Sequence, residues 1–215
     1  MYIFHNLKKL YRTSTSKSDT ESLRSYYYQQ LLEKCNNNDF NLELHKELES
    51  KNSICINDDI LHNHKMKFGC SIHDVKRKFG LKAHYSVSSK INPTIDILLY
   101  RLMIGGQKVK CELHFFENSL FIFNYTFSYL SSKSKEIISN LIFDKYLQRS
   151  FDFANQKITD GAGNTINVND GNTFEINYVA SGDVFFKEAL YLFNKKRMEL
   201  MDRENRKIKQ LYDML

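Results

Sequence analysis

The chain has 215 residues, a formal net charge of +6, four cysteines, one proline and no tryptophan. A chain of that length can bury roughly 70% of its unfolded surface, so a core can form without disulfide staples. Its 42% hydrophobic and 26% charged residues exclude a disordered or collagen-like chain. No run approaches 18 apolar residues, which argues against a helical membrane span. The opening MYIFHNLKKLYRTS lacks the apolar centre of a secretory signal. The expectation is a soluble, cytoplasmic protein.

Residues 1–17 carry Lys8, Lys9, Arg12 and Lys17 without an acid and read as a basic flexible arm. A helical segment and loop follow over 18–66. Ser18 and Glu21 have capping-box spacing, so a helix begins there and runs to about Cys35, with Leu23, Tyr26, Tyr27 and Leu31 on one side. Asn36-Asn37-Asn38-Asp39 interrupts it. A second short helix over 41–50 is anchored by Leu42, Leu44 and Leu48, and a short strand at 54–56 leads into a polar loop.

An α+β core is expected over 67–183. Ser71 is a good N-cap, Asp74 and Lys76 to Lys78 suit the two ends of the helix dipole, and Gly80 is a stop; Ile72, Val75 and Phe79 form the apolar stripe of that helix. A strand around 84–88 precedes the clearest signal in the chain: three strands over 95–104, 108–116 and 120–127, joined by the turns Gly105-Gly106 and Glu117-Asn118. In the middle strand Val109, Cys111, Leu113 and Phe115 alternate with Lys108, Lys110, Glu112 and His114, which predicts one face on a core and one toward water. An amphipathic helix over 133–147 presents Ile137, Ile138, Leu141, Ile142 and Tyr146. A second hairpin turns through Asp160-Gly161-Ala162-Gly163-Asn164 and again near Asn169-Asp170-Gly171-Asn172.

The last helix, 184–215 with Asp183 as its cap, is thickly apolar at first (Phe185, Phe186, Ala189, Leu190, Leu192, Phe193). It then keeps only Met201, Ile208, Leu211 and Leu215. A stripe that narrows in this way predicts docking first and projection later. The late positions are spaced seven, three and four apart, close to the heptad spacing that pairs helices along a seam.

The glycine, hydroxyl residue, acid-Val pair and second glycine at Gly69, Ser71, Asp74-Val75 and Gly80, followed by the meander with Leu113-His114-Phe115-Phe116 and Glu117-Asn118, resemble the layout of the SmpA/OmlA (BamE) family. That family shares its α+β module with the β-lactamase-inhibitor-protein fold. The resemblance covers residues 69–127 only. It implies a non-catalytic scaffold that grips another protein with its sheet or an edge. No lipobox precedes a cysteine, and Leu81-Lys82 stand where the family has a proline after the second glycine, so it does not imply an outer-membrane lipoprotein.

Constellations with chemical meaning are sparse. His62, His64, Cys70 and His73 match no zinc-ligand spacing, so no metal or cofactor is assigned. The 160–164 loop lacks the Lys-Ser/Thr of a phosphate loop and the acids of a calcium loop. Asp58-Asp59 has no apolar wall to raise a pKa, there is no GxSxG, and no catalytic residue is named. The function expected is a non-enzymatic protein-protein interaction module of adaptor, inhibitor or immunity type. Met201, Ile208, Leu211 and Leu215 are its partner-binding residues, for a protein partner or a weak homodimer. The alternative is a nucleic-acid-associated protein using the basic arm and the last helix, where eight basic residues face five acidic ones from residue 184 onward.

Overall fold

The computed structural model describes residues 17–37, 39–60, 66–80, 83–89, 94–147, 152–171, 173–180 and 184–214. Residues 1–16 of the expected arm, His62, His64, Asp183 and Leu215 lie outside the described residues, and Lys17, expected as the end of that arm, already belongs to the first helix, ahead of the expected Ser18 cap. The fold is α+β, as the sequence leads one to expect. Helices α1 (Lys17–Asn37) and α2 (Asp39–Ser50) precede the short strand β1 (Asn52–Cys55), then come α3 (Ile72–Phe79) and β2 (Tyr85–Ser88). The meander is β3 (Ile95–Ile104), β4 (Gln107–Phe116) and β5 (Ser119–Phe127). After α4 (Ser132–Tyr146) follow β6 (Gln156–Thr159), β7 (Thr165–Asp170), β8 (Phe174–Val179) and the long α5 (Val184–Met214).

All eight strands form one sheet in the order β1-β6-β7-β8-β5-β4-β3-β2. The two meanders join where β8 pairs with β5, Asn177 opposite Asn124. Every pairing is antiparallel except β1 with β6. Local chemistry explains the punctuation. Ser71 accepts from the Asp74 amide at 3.1 Å, and Gly80 closes α3 in the left-handed region at φ 60°. Gly105 and Gly106 turn β3 into β4 at φ 57° and 80°. The second turn is made at φ 44° and 68° by Glu117 and Asn118, without glycine.

The sheet separates two cores. On one face Val109, Cys111, Leu113 and Phe115 pack with Tyr100, Phe123, Tyr125, Ile166 and Ile176, under Val75 of α3 and Ile142 of α4. That face has the register expected of it. The other face overturns the expectation of open water. Leu31 and Cys35 of α1, Leu44 and Leu48 of α2, and Leu190 and Phe193 of α5 close over Ile97, Leu99, Phe121, Ile122 and Val179. Glu112 is therefore only 8% exposed and His114 0%. A register shift between His114 and Phe115 leaves Phe121 as the extra residue of β5, so Phe121 and Ile122 both reach this second core.

Other stripes are narrower than expected. In α1 the buried line is Leu31 and Cys35, while Tyr26 is exposed. In α4 Ile137 and Leu141 are 51% and 62% exposed, because only the side carrying Ile142, Ile138 and Tyr146 meets the core. Leu192 of α5 is exposed too, one position away from the buried Phe193.

Candidate functional site

The second face carries a polar row. Glu112, Asn124, Asn177 and Asn167 stand opposite one another on β4, β5, β8 and β7. All four are buried. Asn124 Nδ2 donates to Asn177 Oδ1 at 2.6 Å, and Thr126 Oγ1 donates to Asn124 Oδ1 at 2.8 Å. A lysine closes each end of the row. Lys51 Nζ donates to Asn167 Oδ1 at 2.7 Å, to Phe153 O at 2.8 Å and to Val168 O at 3.2 Å, and pairs with Glu47 Oε1 at 3.0 Å. Lys34 Nζ donates to Glu112 Oε2 at 2.6 Å and rides over the Phe40 ring at 3.9 Å. A buried charge is tolerable only when paired and hydrogen-bonded in this way.

His114 extends the Lys34–Glu112 pair. Its Nε2 lies 3.3 Å from Glu112 Oε2, and its ring stacks obliquely on Phe40 at 5.3 Å. Burial alone would push the Glu112 carboxyl up, but Lys34 and His114 outweigh it and hold the group well below the usual carboxylate range. For His114 burial dominates and the pKa falls, so the imidazole is neutral at pH 7. Among the described residues its Nδ1 has no hydrogen-bond partner. Beside this cluster opens a cleft of about 400 Å³ between α1 and the sheet, lined by Tyr27, Leu31, Lys34, Phe40, Leu99 and Lys110 among others.

The sequence-derived partner residues lie elsewhere. Arg197 of α5 donates to the carbonyl of Asn37 at the end of α1. Beyond Leu200 every described residue of α5 is exposed. Met201, Ile208 and Leu211 are 46%, 64% and 61% exposed, with Tyr212 and Met214 beside them. The fourteen residues from Met201 to Met214 correspond to about 21 Å of helix.

The structure places the remaining candidates as follows. His73 is exposed on α3 and Cys70 packs half-buried on the first core. Among the described residues no three His, Cys, Asp or Glu side chains are grouped to hold a metal ion. All four cysteines are free thiols. Cys35 donates to Ile95 O at 2.8 Å, and burial, reinforced by Asp96, pushes its thiol up to about 12. Asp160 is a loop organiser: it accepts from the amides of Ala162, Asn164 and Ile60, at 3.0, 2.8 and 3.0 Å. Most aromatic residues of β3 to β5 are buried and do not offer a stacking platform.

Sequence reasoning missed the Lys34–Glu112–His114 cluster because it read β4 alone. The neighbouring runs Ile97-Leu98-Leu99-Tyr100 and Leu120-Phe121-Ile122-Phe123 are apolar without alternation, which marks strands covered on both faces. Glu112 and His114 lie in the rows of Leu99 and Ile97 and are buried with them. Comparison of the chain with protein-family models, with curated proteins and with solved structures finds no match. Among the described residues no helix is long and apolar enough to cross a membrane.

Proposed function

We propose that this protein is a soluble, non-enzymatic interaction module that engages a protein partner through the distal half of α5. The observation that carries the reading is that every residue from Met201 to Met214 is exposed, a stretch that leaves Met201, Ile208, Leu211, Tyr212 and Met214 largely in water. The sheet faces are poorer candidates, since helices cover both, so the gripping sheet suggested by the BamE-like layout gives way to the helix. The seam is flanked by the cations Arg203, Arg206, Lys207 and Lys209, clustered over seven residues, against Asp202, Glu204 and Asp213. A parallel second copy would set those cations against themselves. A partner with an apolar groove and an acidic rim fits better, the helix-in-groove mode of recognition. The Lys34–Glu112 pair is mutually neutralised, and Glu112 Oε2 is shared with His114, which suits a structural role.

Deleting residues 203–215 tests the reading, alongside the double variant I208E/L211E. Both variants are expected to melt like the parent, since exposed substitutions move stability by about 0.5 kcal/mol or less. Both are expected to lose a stoichiometric partner that the parent retains at 0.3 M salt. A truncated chain that unfolds would place the segment in the core and sink the proposal. Concentration-dependent dimerisation that the deletion abolishes would replace the partner with a second copy. Binding to bulk DNA or RNA that collapses steeply with salt would move the assignment to the nucleic-acid alternative.

A further inference from the structure

Lys110 lines the cleft beneath α1, and the exposed Arg101 stands beside it at the Tyr27 ring. Arg101 and Lys110 are directly opposite on β3 and β4, an arrangement that is destabilising for like charges. Both approach one ring: Arg101 Cζ lies 5.5 Å and Lys110 Nζ 4.8 Å from the Tyr27 centroid. Among the described side chains neither forms an ion pair, whereas Lys34, the second cation that lines the cleft, pairs with Glu112. On the far side Lys110 faces Thr126, and the acid in that row is Glu175, two strands and therefore roughly 10 Å away. That separation is about one Debye length at 0.1 M salt. The acids lining the cleft are Glu112, already engaged by Lys34 and His114, and Glu33 on the exposed side of α1.

The cleft volume of about 400 Å³ lies within the range of small-ligand sites. Its apolar lining comes from Leu31, Leu99, Tyr27 and Phe40, and Gln30 and Asn37 add amide groups. We infer that the cleft binds a small phosphate monoester with an aromatic or apolar body, its dianion between Arg101 and Lys110 and its body on Tyr27, Leu31 and Leu99. Two adjacent cations that no described carboxylate pairs with match a dianion, and the guanidinium offers it a bidentate fork. A cationic ligand is disfavoured because the one buried carboxylate already has its donors. The inference is independent of the α5 reading and uses no residue of that helix.

Calorimetric titration of the full chain at 50 mM salt tests it with four probes: adenosine monophosphate, adenosine, inorganic phosphate, and a single-stranded oligonucleotide. The nucleotide is expected to bind more tightly than both adenosine and inorganic phosphate, and to raise the melting temperature. R101Q/K110Q is expected to weaken nucleotide binding about tenfold or more while melting no lower than the parent, because it also removes a like-charge contact. Inorganic phosphate or adenosine binding as well as the nucleotide would overturn the inference. Undiminished binding by the double variant would do the same, as would an oligonucleotide that binds where the mononucleotide does not.

Discussion

The two faces of the sheet are built on opposite principles. Beneath α3 and α4 the core is almost wholly apolar, and its rings meet as Phe68 on Phe123 at 5.2 Å and Phe79 on Tyr100 at 4.4 Å. Beneath α1, α2 and α5 an apolar layer adjoins the row Glu112-Asn124-Asn177-Asn167, with a lysine at each end. The first face is held by volume and contact area, and any residue of similar size and apolarity serves it. The second depends on matched donors and acceptors, where one missing atom leaves several groups unsatisfied. The lesson is that a polar strand residue need not mark solvent. It can mark the place where a helix is pinned in register.

Substitutions that separate lost volume from lost hydrogen bonding sharpen this contrast. The largest effect is expected at Phe123, fully buried between Phe68 and Tyr178. Phe123→Ala should cost about 3–5 kcal/mol, and Phe123→Leu should recover much of it, as denaturant titration would register. On the other face Lys51→Ala should cost about 3 kcal/mol, because Asn167, Val168 and Phe153 lose their donor. Here Lys51→Met should be no better than alanine. Rescue by methionine would show that the stem packs and the ammonium is incidental, and the contrast between the faces would fall.

The smallest effect is a slope with pH. Burial lowers the pKa of His114 below its ordinary value near 6.5, so in acid the unfolded chain takes up a proton there that the folded chain refuses. Stability from His114 is therefore intact above about pH 6.5 and is lost as pH falls toward the folded value. Glu112, whose pKa is also lowered, adds a second loss that begins near its unfolded value of 4.5. Stability measured from pH 7.5 to 5 should decline less in His114→Phe than in the parent. An unchanged slope would mean that other groups carry the acid sensitivity.

Much of the fold is legible residue by residue. The Ser71 cap, the Gly80 stop, the Gly105-Gly106 turn and the inward set Val109, Cys111, Leu113 and Phe115 all follow from local stereochemistry and a period of two. So does the projecting end of α5, since a stripe reduced to Met201, Ile208 and Leu211 has little left to bury. The cleft was not legible, because it depends on which elements meet. Lys34 and Glu112 are separated by 78 positions and Lys51 and Asn167 by 116, and no periodicity within one element reports such pairs.

The sequence by itself therefore determined the identity and punctuation of the elements, which rest on interactions within a few residues of the chain. Tertiary structure alone decided that β8 docks on β5 to merge two meanders into one sheet, and that α1, α2 and α5 cover its second face. The reason is physical: Glu112 and His114 in an isolated β4 prefer water. Only when Ile97, Leu99, Phe121 and Ile122 demand a cover, and Lys34 arrives with the helix that supplies it, does burying them become favourable.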